Sequence, residues 1–201
     1  SARIDVRGRV VGGYTIIQPR VSPSLPSASG SPFSRLFSDP VGIDPYTNAV
    51  SDVHQDLTGE GSYHGKGIYD VRTFSRILGR RFPEAWLLSH DLIEGAHVRV
   101  GLASDIELYD EFPQDYLSFI KRLHRWTRGD WQIAGWILPR VPRSGGGRSP
   151  NPLSWFDRGK IFDNMRRSLL PVASLGLLVA SWGVSFHAGW ITTVVSWRAS
   201  T

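Results

Sequence analysis

Residues His124–Gln132 read HRWTRGDWQ, and about thirty positions upstream Ser89–Gly95 read SHDLIEG. The reading of these two stretches decides the fold. Ser89 can cap a helix running from His90, because its hydroxyl can accept from a free first-turn N–H. Asp91 then lies in the first turn, where the helix dipole favours negative charge. Asp91 and Glu94 are three apart and share a face. A carboxylate there can act as a general base or stand as a solvated first-turn acid. In the second stretch Arg122, Arg125 and Trp126 fall at i, i+3 and i+4, again on one face. Arginine forms bidentate bonds to phosphate oxygens. Trp offers a flat apolar face with an N–H to anchor a sugar ring. The other reading is a basic surface helix with one buried Trp.

The surrounding chain has 201 residues, no cysteine, eight Trp and a net charge of +5 carried almost wholly by arginine. Disulfides and Cys-based metal sites are excluded. A basic chain suits nucleic acid, anionic lipid or phosphorylated ligands. The chain begins at Ser1 with no leader ahead of the first polar stretch, and it is read as a fragment of a longer protein, inactive alone.

Val10–Gln18 alternates weakly and predicts one strand. Pro19, Pro23 and Pro26, with the serines around them, are expected to break any regular element. Residues 51–138 hold most of the acidic residues. Within them the Gly-rich run 60–74 (EGSYHGKGIYDVRTF) predicts a turn before a helix starting near Asp70. Lys66, between two glycines, could reach a phosphate, although the P-loop spacing is missing. Asp52, His54, Asp56 and Glu60 match no closed metal site and are read as solvated or hydrogen-bonded. Residues 139–154 are expected to be a Pro/Gly/Arg linker with a flexible centre.

Beyond it the character changes. Residues 155–167 (WFDRGKIFDNMRR) predict an amphipathic basic helix lying along a membrane surface. Residues 168–186 carry no formal charge and are long enough for one crossing. Arg166 and Arg167 before them place that end in the cytoplasm. Residues 188–197 could begin a second crossing.

The order of the pieces is more specific than any one of them. IIQPRV, SDVHQDLTGEGSYHGKGIYDV, RRFPEAWLLSHDLIEG, HRWTRGDWQ and NPLSWFDRGKIFDNMRRSLLP follow one another across residues 10–186. This order resembles the second half of a processive family-2-type glycosyltransferase domain. More closely, it resembles the glucosyltransferase segment of bacterial cyclic β-1,2-glucan synthases. The resemblance implies an α/β fold: part of an A-type, Rossmann-like glycosyltransferase domain (1–138), followed by interfacial and transmembrane helices. It implies UDP-glucose as donor, a growing β-glucan chain as acceptor and product, and membrane lipid as a partner. The expected location is a bacterial inner membrane, with the catalytic face in the cytoplasm. A divalent metal, Mg or Mn, would be held at an Asp-x-Asp motif that this chain does not contain. Carried over by position, Asp91 is the base. Arg125 and Trp126 match the R-W of the family's Q-x-x-R-W, with Arg122 where the family has Gln. Glu94 and Lys66 are the further candidate substrate contacts.

Other readings are another family-2-type polysaccharide synthase, a truncated noncatalytic membrane protein, and a nucleic-acid binder. A groove binder should show a basic stripe with few acids nearby. Asp91, Glu94, Asp105, Glu107, Asp110 and Glu111 crowd the basic region here, so no nucleic-acid partner is expected.

Overall fold

The computed structural model describes residues 2–38, 53–79, 81–83, 87, 91–184, 190 and 193. It is a mixed α/β structure in two compact units, Ser1–Ile161 and Phe162–Thr201.

The first unit opens with an antiparallel ribbon, β1 (Arg3–Ile4) and β2 (Val10–Gly12). Asp5 Oδ1 closes its turn by accepting from the N–H groups of Arg7 and Arg9. The next strand, β3 (Ile16–Pro23), is the middle of a three-stranded sheet. It pairs antiparallel with β4 (Ile68–Tyr69) and parallel with β5 (Val100–Asp110). Here the chain departs from expectation. The single strand predicted over Val10–Gln18 is two, and the second runs on through Pro19. A proline interior to a sheet is tolerated at a bulge, where no ladder N–H is required. The β3–β5 register shifts between Pro19 and Arg20.

The Pro/Ser run after β3 also forms regular structure. Ser24 caps α1 (Leu25–Ser29) and Ser31 caps α2 (Pro32–Phe37), each with a proline in the first turn. There the missing N–H costs nothing, because it would have been unpaired anyway. α3 is Val53–Thr58 and α4 is Val71–Leu78, a helix starting where the sequence predicts one and capped by Asp70. α5 (Asp91–Val98) leads straight into β5. Ser89 and His90, the expected cap and helix start, lie outside the described residues. The core lies beneath the sheet: Val10, Ile16, Ile77, Leu78, Val98 and Val100 are buried together.

α6 (Tyr116–Gln132), capped by Asp115, carries the second motif, and a 3-10 turn (Ala134–Ile137) follows it. Residues 139–154 are not a linker with a flexible centre. β6 (Arg140–Pro142) and β7 (Arg148–Pro150) pair antiparallel. The tip Gly145–Gly147 has φ of 84°, 92° and 79°, which glycine alone adopts without strain. Val141, 4% exposed, anchors this hairpin in the core.

α7 (Trp155–Val184) is one helix where an interfacial helix and a membrane span were expected separately. Its root belongs to the first unit. Ser154 and Asp157 cap each other there: Asp157 N–H donates to Ser154 Oγ, and the Ser154 hydroxyl donates to Asp157 Oδ2 at 2.6 Å. Asp157, 3% exposed, also pairs with Arg9 at 2.8 Å.

The second unit holds the rest of α7. Pro171 sits inside it, and Leu169, Val172, Leu175, Leu177 and Val179 are exposed. Among the described residues this is the one helix long and apolar enough to cross a membrane, with a mean hydropathy of 1.4 in its best window. Residues 185–186 and most of 188–197 lie outside the described residues. Within 188–197 only Trp190 and Thr193 are described, and Thr193 Oγ1 accepts from Trp182 Nε1 at 3.3 Å.

Candidate functional site

The site is built on the Gly-rich loop between α3 and β4. Buried Gln18, in the middle of β3, holds this loop at two points. Its Nε2 donates to the Ser62 carbonyl at 2.6 Å, and its Oε1 accepts from His64 N–H at 3.3 Å. Gly61 N–H donates to the Val100 carbonyl on β5. The loop is thereby fixed across the two parallel strands.

At Gly65 the loop meets the first turn of α5. Gly65 has φ of +92°, and a Cβ there would lie 2.8 Å from Asp91 Oδ2. The Asp91 carboxylate thus packs directly against the loop backbone. Glu94 lies on the same side. Burial, then the charges of Asp91 and Glu94, push the Tyr63 phenol above its usual range. The two acids expected to share a face therefore do so, with Tyr63 beside them.

Lys66, the next loop residue, pairs with Asp110 at the end of β5, Nζ to Oδ2 at 2.6 Å. That bond is the main reason the Asp110 carboxyl is held below its ordinary value, and Arg122 adds to it. Arg122 donates through both terminal nitrogens to the Glu111 carbonyl at 3.3 Å. Its guanidinium carbon sits 5.9 Å from the Trp126 ring centre. Trp126 is 40% exposed and is not a core residue. Arg125 is exposed, with no hydrogen bond or ion pair among the described residues. The chain of contacts from Asp91 through the loop to Asp110, Arg122 and Trp126 brings together pieces far apart in sequence. Arg125, on the same helix, stays open to solvent. Lys66 is not a free cation, since it is committed to Asp110.

Sequence reasoning passed over Gln18, Tyr63 and Asp110. Gln18 lies inside the IIQPRV word, and a buried amide in a strand is the signal that could have marked it. Of the acidic segment, Asp52 lies outside the described residues and His54 Nδ1 pairs with the Ser62 hydroxyl at 3.0 Å. Glu60 lies between Arg9 and Arg99 at 3.7 and 3.6 Å. Burial, then the Asp157 charge, raises its pKa against the pull of both arginines. Among the described residues no group of three His, Asp or Glu is placed to hold a metal ion.

The chain is similar to a known protein over most of its length. Across 174 residues, 86% of the chain, it is 48% identical to the cyclic beta-(1,2)-glucan synthase NdvB of Rhizobium meliloti (strain 1021). It spans only 6% of that protein. No protein-family model matches the chain. The likeness to cyclic β-(1,2)-glucan synthases read from the order of the motifs is thus shown, as a likeness to one segment of such a synthase.

Proposed function

We propose that this chain forms the acceptor side of an inverting, membrane-bound glucosyltransferase that builds β-1,2-glucan from UDP-glucose. The observation that carries the reading is Asp91 held against the Gly-rich loop, whose next residue leads through Asp110 to the Arg122–Trp126 pair. The parent domain is the A-type sandwich, of which this chain supplies the later half. The identity to a cyclic glucan synthase supports the glucan product.

In this reading Asp91 takes the proton from the 2-hydroxyl of the terminal glucose as that oxygen attacks the anomeric carbon of the donor. The bond from that carbon to the departing UDP breaks on the opposite face, with no covalent intermediate. Arg125, with its guanidinium open, and Arg122 offset the charge growing on the leaving diphosphate. Trp126 holds the acceptor ring so that one hydroxyl points inward. Glu94, on the same face as Asp91, orients the acceptor. A phosphate contact by Lys66 has to compete with Asp110. A divalent metal would lie against the donor phosphates on residues outside this chain, and no step here passes through it. Residues 168–186 cross the inner membrane with Arg166 and Arg167 on the cytoplasmic side.

The test is Asp91→Asn in a full-length synthase carrying these residues. Glucose transfer in membranes should fall by at least ~10²-fold with the fold intact, as for loss of a general base. A near-normal rate would end the assignment and pass the role to Glu94.

A further inference from the structure

A cavity lies in the first unit, lined by none of the residues assigned to glucosyl transfer. Its volume is about 750 Å³, within the range of small-molecule sites. Four arginines line it: Arg7 from the β1–β2 turn, Arg76 from α4, Arg81 after α4, and Arg143 from the β6–β7 hairpin. His97 and Trp136, 1% and 2% exposed, form its floor. The walls are largely prolines of the hairpin and its flanks.

The charge is unusual. None of the four arginines is ion-paired among the described residues. Arg81 Nη2 donates to the Arg7 carbonyl at 3.1 Å and feels Asp5, whose Oδ1 is already occupied by two backbone N–H groups. Arg7, Arg76 and Arg143 are exposed. His97 Nδ1 donates to the Ile93 carbonyl at 2.7 Å and burial disfavours its charged form, so the floor presents a neutral ring and an indole. Four arginines around a floor of imidazole and indole form a recognisable kind of site. It suits an oxyanion attached to an organic body, since arginine forks match phosphate oxygens bidentately. A carboxylate would use only one of these forks.

We propose that this cavity binds a phosphate ester, with Arg76 of α4 and Arg143 of the hairpin holding the phosphate and the organic body resting on Trp136. The phosphate belongs either to a soluble phosphorylated compound or to a phospholipid headgroup. The site uses none of the residues assigned to glucosyl transfer, so it stands or falls independently of that reading.

Calorimetric titration of the whole chain in uncharged detergent at 0.15 M salt tests the proposal. The two probes are glycerol 3-phosphate, a soluble phosphate monoester, and glycerophosphoglycerol, the water-soluble headgroup of phosphatidylglycerol. At least one should bind with Kd below about 1 mM. The double variant Arg76→Gln, Arg143→Gln should weaken it at least ~10-fold, because two charge-assisted contacts are lost. Both side chains are exposed, and an unchanged melting temperature would confirm that the variant folds. Tighter binding of the monoester assigns the site to a soluble phosphorylated compound, and tighter binding of the diester assigns it to lipid. Failure of both probes to bind below about 1 mM, or equal binding by the folded double variant, overturns the proposal.

Discussion

Gly65 and Gly146 share a φ of +92°, yet an added Cβ would meet Asp91 Oδ2 at 2.8 Å at Gly65 and nothing within 4 Å at Gly146. This makes them a matched pair. Alanine at either position pays the left-handed backbone cost, about 1–2 kcal/mol. At Gly146, in the hairpin tip, that is the whole effect. At Gly65 the new methyl also lies 3.1 Å from Asp91 Cγ and 3.4 Å from Oδ1, so the whole carboxylate must retreat. Ordinary contact requires a shift of roughly half an ångström. The loop cannot yield easily, because Gln18 holds Ser62 and His64 from inside the sheet. An ångström of misplacement at a reacting group costs ~10²-fold in rate, so half of one should cost ~10-fold. Gly65→Ala and Gly146→Ala should therefore lose similar stability, read by thermal unfolding. Only Gly65→Ala should lose about tenfold in glucose transfer, measured in membranes on a full-length synthase. If the two variants transfer glucose equally, the contact between loop and carboxylate does not position the reaction.

His97 is buried and its pKa is pushed down to about 3, chiefly by burial. The unfolded chain takes up a proton below about pH 6.5 that the folded chain refuses. Stability should therefore be complete above that pH and fall toward pH 3 by about 1.4 kcal/mol per unit. Denaturant unfolding of His97→Gln should be flatter with pH, and an identical acid slope would refute the account. Arg9 is 11% exposed between Asp157 and Glu60. Arg9→Met leaves the buried Asp157 carboxylate without its cation, while Glu60 keeps Arg99, and should cost about 3–5 kcal/mol; a loss below ~1 kcal/mol in urea unfolding would show that solvent reaches the site. Arg125→Lys should weaken UDP binding and turnover together, because the planar fork is lost. Trp126→Ala should raise the acceptor requirement while UDP affinity and melting temperature stay nearly unchanged. Joint loss of stability and UDP binding in Trp126→Ala would argue against an acceptor platform.

What could be read in the sequence was local. The helix start near Asp70, the Asp91–Glu94 face and the Arg122–Trp126 pair depend on neighbours within a few residues, whose spacing a helix converts directly into contacts. The strand through Pro19 could not be read, because the bulge that admits a proline is defined by its partner β5. Lys66 looked available for phosphate because Asp110 is remote in sequence. Glu60 looked solvated because Arg9, Arg99 and Asp157 reach it from distant segments. The glycines of 145–147 fit a flexible linker and a hairpin tip equally well, and burial of Val141 distinguishes the two.

The parallel pairing of β3 with β5 also sets an order of events during synthesis. Ile16 pairs with Val100, so the strand must wait for about eighty more residues to be made. At ribosomal speeds that is roughly 4–16 s, long enough for collapse and local helix formation to be complete. During that interval β3 is a strand lacking its parallel neighbour, a template for pairing with another chain. Pro19 and Pro23 lie on it and offer no N–H to an intruder. The prolines that obscure this strand in the sequence thus remove two of the N–H groups through which another chain could pair with it before β5 emerges.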